Sequence, residues 1–151
     1  MTQPTYQYLI SACLCGQPCR YDGTAQTIDF LAQLVDQGQA LMVCPEQLGG
    51  LSTPRIPCER LGDRIINQQG NDCTHEFLLG AQKVLKLAQT HNIPQAILKE
   101  RSPSCGSRQI YDGTFTGNIV AGKGLTAQYL HQNGITVISS DDILAMMQQQ
   151  E

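Results

Sequence analysis

The stretch Tyr6–Cys13, Y-Q-Y-L-I-S-A-C, is an apolar run of strand length that ends in a cysteine. The pattern returns at L-M-V-C, Leu41–Cys44, and in altered form at Q-A-I-L, Gln95–Leu98, whose following loop carries Cys105. A short, non-alternating apolar run suits a strand covered on both faces, as in a parallel sheet. We therefore read Tyr6–Ala12, Leu41–Cys44 and Gln95–Leu98 as strands.

The segments between them have the helical period. Ala25–Gln37 places Ile28, Leu31, Leu34 and Val35 on one stripe, and Gly38 suits the residue just past the helix end. Thr74–Thr90 does the same with Phe77, Leu78, Ala81, Val84, Leu85 and Ala88, with Thr74 or Asp72 as its N-cap. Leu61–Gln68 reads as a further strand, Leu125–Gln132 as a helix and Ile135–Ser139 as a strand. Ser140 or Asp141 would cap a last helix running to about Gln149. Pro45–Pro57 and Lys99–Gly124 read as loops, and the Gln148–Gln150 tail is expected to fray. Strands alternating with helices predict an α/β chain, a single Rossmann-like domain over 1–151, with a mainly parallel sheet and helices on both faces.

In such folds ligands bind beyond the carboxyl ends of the strands. Cys13, Cys44 and Cys105 each follow or close a predicted strand, so they are expected to converge at one end of the sheet.

The composition narrows the chemistry. A chain of 151 residues suits one domain. Its net charge of −3 leaves no dense Lys/Arg face, which argues against a polymeric nucleic-acid partner. A free nucleobase or nucleotide stays compatible, because it needs only a few local contacts. No apolar run reaches bilayer length and the first residues resemble no leader, so the expected compartment is the cytoplasm, with no membrane partner. Oligomeric state is not legible. Seven cysteines, an odd number in a reducing compartment, read as metal ligands, catalytic thiols or small buried hydrophobes rather than disulfides.

The spacing of the cysteines leaves three readings open: a shared metal site, buried free thiols, or thiol redox chemistry. Structural zinc favours paired C-x-x-C knuckles, and the chain has none; its C-L-C-G-Q-P-C run (Cys13, Cys15, Cys19) matches no zinc-finger spacing. Cys58 and Cys73 suit buried small hydrophobes, while Cys15 and Cys19 are each a fourth ligand or a structural thiol. His75, His91 and His131 lie away from the motif-rich loops and are not expected to ligate.

Those loops are dense with distinctive text. S-A-C-L-C-G-Q-P-C-R-Y-D-G covers Ser11–Gly23 and C-P-E-Q-L-G-G-L-S-T-P-R covers Cys44–Arg55. G-N-D-C-T-H-E-F-L-L-G-A covers Gly70–Ala81, L-K-E-R-S-P-S-C-G covers Leu98–Gly106 and Y-D-G-T-F-T-G covers Tyr111–Gly117. Together they resemble a bacterial family long known only as a domain of unknown function, some of whose members are thiouracil desulfidases.

The resemblance implies a [4Fe–4S] cluster held by three cysteines, its fourth iron open to a substrate's sulfur. It implies a non-redox, hydrolase-type desulfidase that turns a thiolated pyrimidine of the 2- or 4-thiouracil class and water into the oxo base and hydrogen sulfide. Matched motif by motif, it implies Cys13, Cys44 and Cys105 as ligands, Glu46 as the acid/base group and Ser104 as an active-site serine. Cys15 and Cys73 depart from the family pattern and are read as non-ligands.

Beside the resemblance, Arg20 and Tyr21 are expected to shape the pocket, and Arg55 and Arg101 to bind a substrate carbonyl or phosphate. Lys99, Glu100 and Arg101 also read as a structural ion-pair network. The short chain favours a small free base as substrate. The alternatives are an iron–sulfur or zinc protein that carries or senses sulfur without turnover, or a thiol oxidoreductase using Cys13 with Cys15 or Cys19.

Overall fold

The computed structural model describes residues 6–149. The chain runs β1 (Tyr8–Ser11), a 3₁₀ turn (Ala12–Cys15), α1 (Asp29–Asp36), β2 (Ala40–Val43), α2 (Pro45–Leu48), β3 (Cys58–Leu61), β4 (Arg64–Asn67) and α3 (Thr74–Thr90). It continues through β5 (Gln95–Leu98), β6 (Gln109–Tyr111), β7 (Ile119–Ala121), α4 (Leu125–Gln132), β8 (Thr136–Ser139) and α5 (Ser140–Gln149). The first and last residues of the 1–151 span, and the tail expectation at Gln150, lie outside the described residues.

The central sheet is parallel throughout, in the order β2-β1-β5-β8. Side chains of a strand alternate between faces, and both faces are covered. Leu9, Ala96 and Leu98 face Val84 and Ala88 of α3 and Ala127 and Leu130 of α4. Ile10 and Ile97 face Leu31 and Leu34 of α1 and Ile143 of α5. Two-sided burial explains why these strands show no polar alternation. The predicted α/β, Rossmann-like architecture is therefore the observed one.

The differences from the sequence reading are local. Leu61–Gln68 is not one strand: β3 and β4 form an antiparallel hairpin around Gly62–Asp63, with Leu61 opposite Arg64. Gly-Asp between paired strands is itself a hairpin signal. The loop expected at Lys99–Gly124 contains a second hairpin, β6–β7. The loop expected at Pro45–Pro57 begins with the single turn α2, with Pro45 at its first position, where a missing N–H costs nothing.

Helix α1 starts at Asp29 rather than Ala25, because the preceding backbone is tied elsewhere. Gln26 N donates to Cys13 O at 3.0 Å and Ile28 N to Leu14 O at 2.8 Å. The caps differ as well. Cys73, without a side-chain bond, caps α3, while Asp72 Oδ1 accepts from Thr74 N at 2.8 Å. Thr74 Oγ1 instead accepts from Ile65 N at 2.9 Å, tying α3 to β4. At α5 the capping oxygen is Ser139 Oγ, 3.1 Å from Asp141 N, and Ser140 Oγ accepts from Glu100 N.

One crossing matters for the site. A Cβ on Gly80 of α3 would strike Pro45 O, and a Cβ on Gly49 would strike Glu76 O. The two backbones touch here because neither glycine has a side chain. Gly80→Ala is expected to destabilise the protein by about 1–3 kcal/mol, since backbone must move to admit the methyl. Pro45 sits between Cys44 and Glu46, so the same change displaces both. Chemical denaturation measures the loss; an unchanged midpoint would refute it. Among the described residues, no helix is long and apolar enough to cross a membrane.

Candidate active site

The chain passes from β1 to β2 on one side of it and later crosses back to β5 on the other side, a reversal that opens a crevice at the carboxyl ends of these strands. A cavity of about 380 Å³ lies there, and Cys13, Cys44 and Cys105 all line it. Each is held differently. Cys13 sits inside the 3₁₀ turn after β1, and Cys44 is the extended N-cap residue of α2.

Cys105 rides a loop built almost entirely from hydrogen bonds. Ser102 Oγ accepts from Ser104 N at 3.1 Å and Cys105 N at 3.0 Å. Pro103 O and Ser104 O accept from Leu125 N and Thr126 N at 2.9 and 2.8 Å, so the loop also satisfies the first donors of α4. The outer turn of the loop closes on Glu100, which is only 1% exposed. Its Oε1 accepts from the backbone N–H of Ser107, Arg108 and Gln109 at 2.9, 3.0 and 3.1 Å, and its Oε2 from Ser107 Oγ at 2.9 Å. Burial alone would raise this carboxyl, but hydrogen bonds from Ser139, Arg108, Gln109 and Ser107 outweigh it and hold it at about 2.

A fourth thiol joins the three. Cys19 lines the same cavity, is 5% exposed, and its carbonyl accepts from Cys44 Sγ at 3.8 Å. The neighbouring Cys13 thiol, followed by burial, pushes the Cys19 thiol up to about 11. Burial above all, with the Glu46 and Cys44 charges adding, pushes Cys105 to about 12. Cys44 is raised strongly by its bond to Cys19 and by desolvation. Thiolates so crowded repel one another, and a cationic centre is the natural way to hold them deprotonated. Among the described residues no three His, Cys, Asp or Glu side chains converge on a point that could hold one metal ion. A cluster whose thiolates bind separate irons needs no such convergence, so the donor set suits one.

Glu46, on α2, lines the cavity two residues from Cys44. Arg55 Nε donates to its Oε1 at 3.1 Å, and Ser104 Oγ lies 3.4 Å from its Oε2. Arg55 uses four of its five N–H donors within the protein: besides Nε, Nη1 bonds Ser52 O and Thr53 Oγ1 at 3.1 and 2.9 Å and Nη2 bonds Cys19 O at 2.9 Å, which leaves one Nη2 N–H. The sequence reading gave Arg55 to the substrate; it lines the cavity, and its contacts also fix Glu46 and the Cys19 loop.

Scanned against family models, residues 8–142 match 2-thiouracil desulfurase. The chain belongs to the 2-thiouracil desulfurase family. It is 43% identical over 145 residues to the uncharacterized protein YbbK of Bacillus subtilis (strain 168), covering 89% of this chain and 96% of that one. It also resembles a solved structure described as the [4Fe–4S]-dependent thiouracil desulfidase TudS, with TM-score 0.87 and 45% identity. That likeness covers 97% of this chain and 99% of the other.

Within this family member the remaining predicted residues fall unevenly. Arg20 and Tyr21 line the cavity, Tyr21 at its exposed mouth. Arg101 also lines it, but its guanidinium is clamped on both oxygens of Asp141, with Nη2 to Oδ1 at 3.0 Å. The carboxylate beside it holds Arg101 above its ordinary range. The expected Lys99–Glu100–Arg101 network is thus two devices: an Arg101–Asp141 pair and a Glu100 backbone anchor. Lys99 Nζ reaches only Glu100 O, at 3.3 Å. Ser104 is 1% exposed and lies behind Glu46 and Cys105 rather than on the cavity wall.

Cys15 is not among the lining residues. Cys58 and Cys73 pack beside the buried Ile65 and Phe77, their thiols donating to Ile56 O and Asn71 O at 3.7 and 3.9 Å, and Cys58 reaches the cavity edge. None of the three histidines lines the cavity, and His91 stacks edge-on with Tyr6 at 5.4 Å. The sequence reading missed Glu100 as an anchor and Asp141 as the partner of Arg101. A forty-residue separation leaves no local signal for that pairing.

Proposed function

We propose that this chain is a [4Fe–4S]-dependent desulfidase, a single domain over 1–151 acting in the cytoplasm on a thiolated pyrimidine of the 2- or 4-thiouracil class. The observation that carries the reading is the arrangement of three thiols around one cavity, Cys13 and Cys105 buried and Cys44 half-buried, each presented by the segment after a neighbouring parallel strand, with a carboxylate beside them. Similarity to a [4Fe–4S]-dependent thiouracil desulfidase supports the same cofactor here.

Cys13, Cys44 and Cys105 would hold the cluster, which when bound supplies a thiophilic Lewis acid at the substrate's sulfur. Glu46 takes a proton from the water that attacks the thiocarbonyl carbon. It returns that proton to sulfur as the carbon–sulfur bond breaks, and the proton of the added hydroxyl follows to sulfur by the same carboxylate as the carbonyl forms. The sum is C=S plus H₂O giving C=O plus H₂S, with no electron gained or lost. Arg55 and Ser104 orient the two oxygens of Glu46, so Ser104 acts through the carboxylate.

Arg55→Met is therefore expected to lower kcat by roughly tenfold or more with cluster content unchanged, because a misaimed base loses most of its advantage. Steady-state kinetics with iron analysis checks this; an unchanged kcat would remove Arg55 from the account.

One observation favours a larger substrate than a free base. Arg20 and Lys99 line the cavity with no carboxylate partner among the described residues, so a phosphate-bearing nucleotide has cations to meet. The deciding experiment is anaerobic reconstitution with iron and sulfide, then sulfide release from 2-thiouracil, 4-thiouracil and their nucleoside monophosphates. Turnover carries the desulfidase reading. A cluster without turnover on the panel leaves a sulfur carrier or sensor, and bound zinc without iron overturns the cofactor.

A further inference from the structure

The loop Asp112–Asn118, between β6 and β7, overhangs the cavity in an unusual conformation. Phe115 has φ of +58°, in the left-handed region that non-glycine residues seldom occupy. Such strain persists where surrounding contacts over-determine it, and it concentrates at working sites. The contacts here are specific. Glu59 Oε1 on β3 accepts from Gly113 N at 3.0 Å and from Phe115 N at 3.1 Å. Asp112 Oδ1 accepts from Thr114 N at 3.0 Å within the turn. Gly113 packs against Leu61 so closely that a Cβ would lie 2.9 Å from that of Leu61.

This effort holds one side chain. Phe115 lines the cavity, yet it belongs to none of the three buried apolar clusters. Its ring therefore serves the cavity rather than the core. It also has no polar group that would need a partner there, unlike Tyr21 and Tyr111, the other aromatic residues on the wall. A flat apolar ring beside cations and a carboxylate is what a planar heterocycle needs on its face.

We infer that Phe115, fixed by Glu59, is the surface on which the substrate's pyrimidine ring stacks, with Glu59 as a positioning residue. The inference rests on the desulfidase reading for the identity of the ring. Stacking holds the heterocycle flat while the thiocarbonyl points toward the cysteines and Glu46, so Phe115 sets affinity for any pyrimidine, sulfur-bearing or not.

The chain contains no tryptophan, which makes the test direct. Reconstituted Phe115→Trp carries the only indole, and its emission is followed while uracil and uridine monophosphate, the unreactive oxo products, are added. The expected result is saturable quenching, together with a KM raised roughly ten- to a hundredfold in Phe115→Ala and near wild type in Phe115→Tyr. Glu59→Gln, which keeps an acceptor oxygen, is expected to retain the wild-type KM, and Glu59→Leu to lose it.

Emission indifferent to product concentrations that inhibit wild-type turnover overturns the inference. So does an unchanged KM in a folded Phe115→Ala. If the wild type releases no sulfide from any thiolated pyrimidine but uracil still quenches the indole, the desulfidase reading fails and the stacking surface stands.

Discussion

Serine in place of Cys105 is expected to leave a folded chain that cannot retain an iron–sulfur cluster, with sulfide release falling to background. The same outcome is expected for Cys13→Ser and Cys44→Ser, because a hydroxyl does not deprotonate to a soft ligand for iron. Cys19→Ser should keep the cluster. Cys19 lines the same cavity and its carbonyl accepts from Cys44 Sγ, but a fourth thiolate would close the iron that must meet the substrate's sulfur. Iron and acid-labile sulfide per chain, with the visible absorption of the anaerobically reconstituted protein, read the result. Thermal midpoints of the four variants separate ligand loss from misfolding. Loss of the cluster in Cys19→Ser, with retention in one of the other three, would reassign the ligand set.

The second large effect falls on stability. Glu100→Ala removes a buried carboxylate that accepts four backbone N–H groups and a hydroxyl, and leaves those donors without their partner. The expected cost is about 3–5 kcal/mol. Glu100→Gln should cost less, since an amide oxygen still accepts. The dependence on pH follows from the depressed carboxyl. Its folded value near 2 lies below the ordinary 4.5, so the stabilisation is fully present above the unfolded value and is lost as pH falls toward 2. The gap in denaturation midpoint between wild type and Glu100→Gln should thus be constant at neutral pH and shrink on acidification. A gap that widens instead would mean Glu100 does not act as a hydrogen-bonded carboxylate. Because Glu100 closes the loop that carries Cys105, loss of the anchor is also expected to reduce cluster retention.

The sheet strands and the long helix α3 were legible from local pattern. Leu9–Ile10, Leu41–Val43 and Ala96–Leu98 are apolar on consecutive residues because helices cover both faces, and α3 carries its buried stripe over four turns. The position of Cys13, Cys44 and Cys105 past three strand ends was legible for the same reason, as parallel strands bring their carboxyl ends to one edge. The two hairpins were not, because their strands are short, half-exposed and weakly patterned.

The cavity's charges were out of reach as well. Arg20, Arg55, Lys99 and Arg101 are alike as sequence, four cations near distinctive motifs. Only the folded chain commits Arg55 to Glu46 and Arg101 to Asp141 and leaves Arg20 and Lys99 without a carboxylate among the described residues. Periodicity records which face of an element is buried, a property of neighbours along the chain. Which side chain meets which at separations of nine or forty residues depends on loop paths, and those are set by backbone hydrogen bonds such as the ones closing on Glu100 and Glu59.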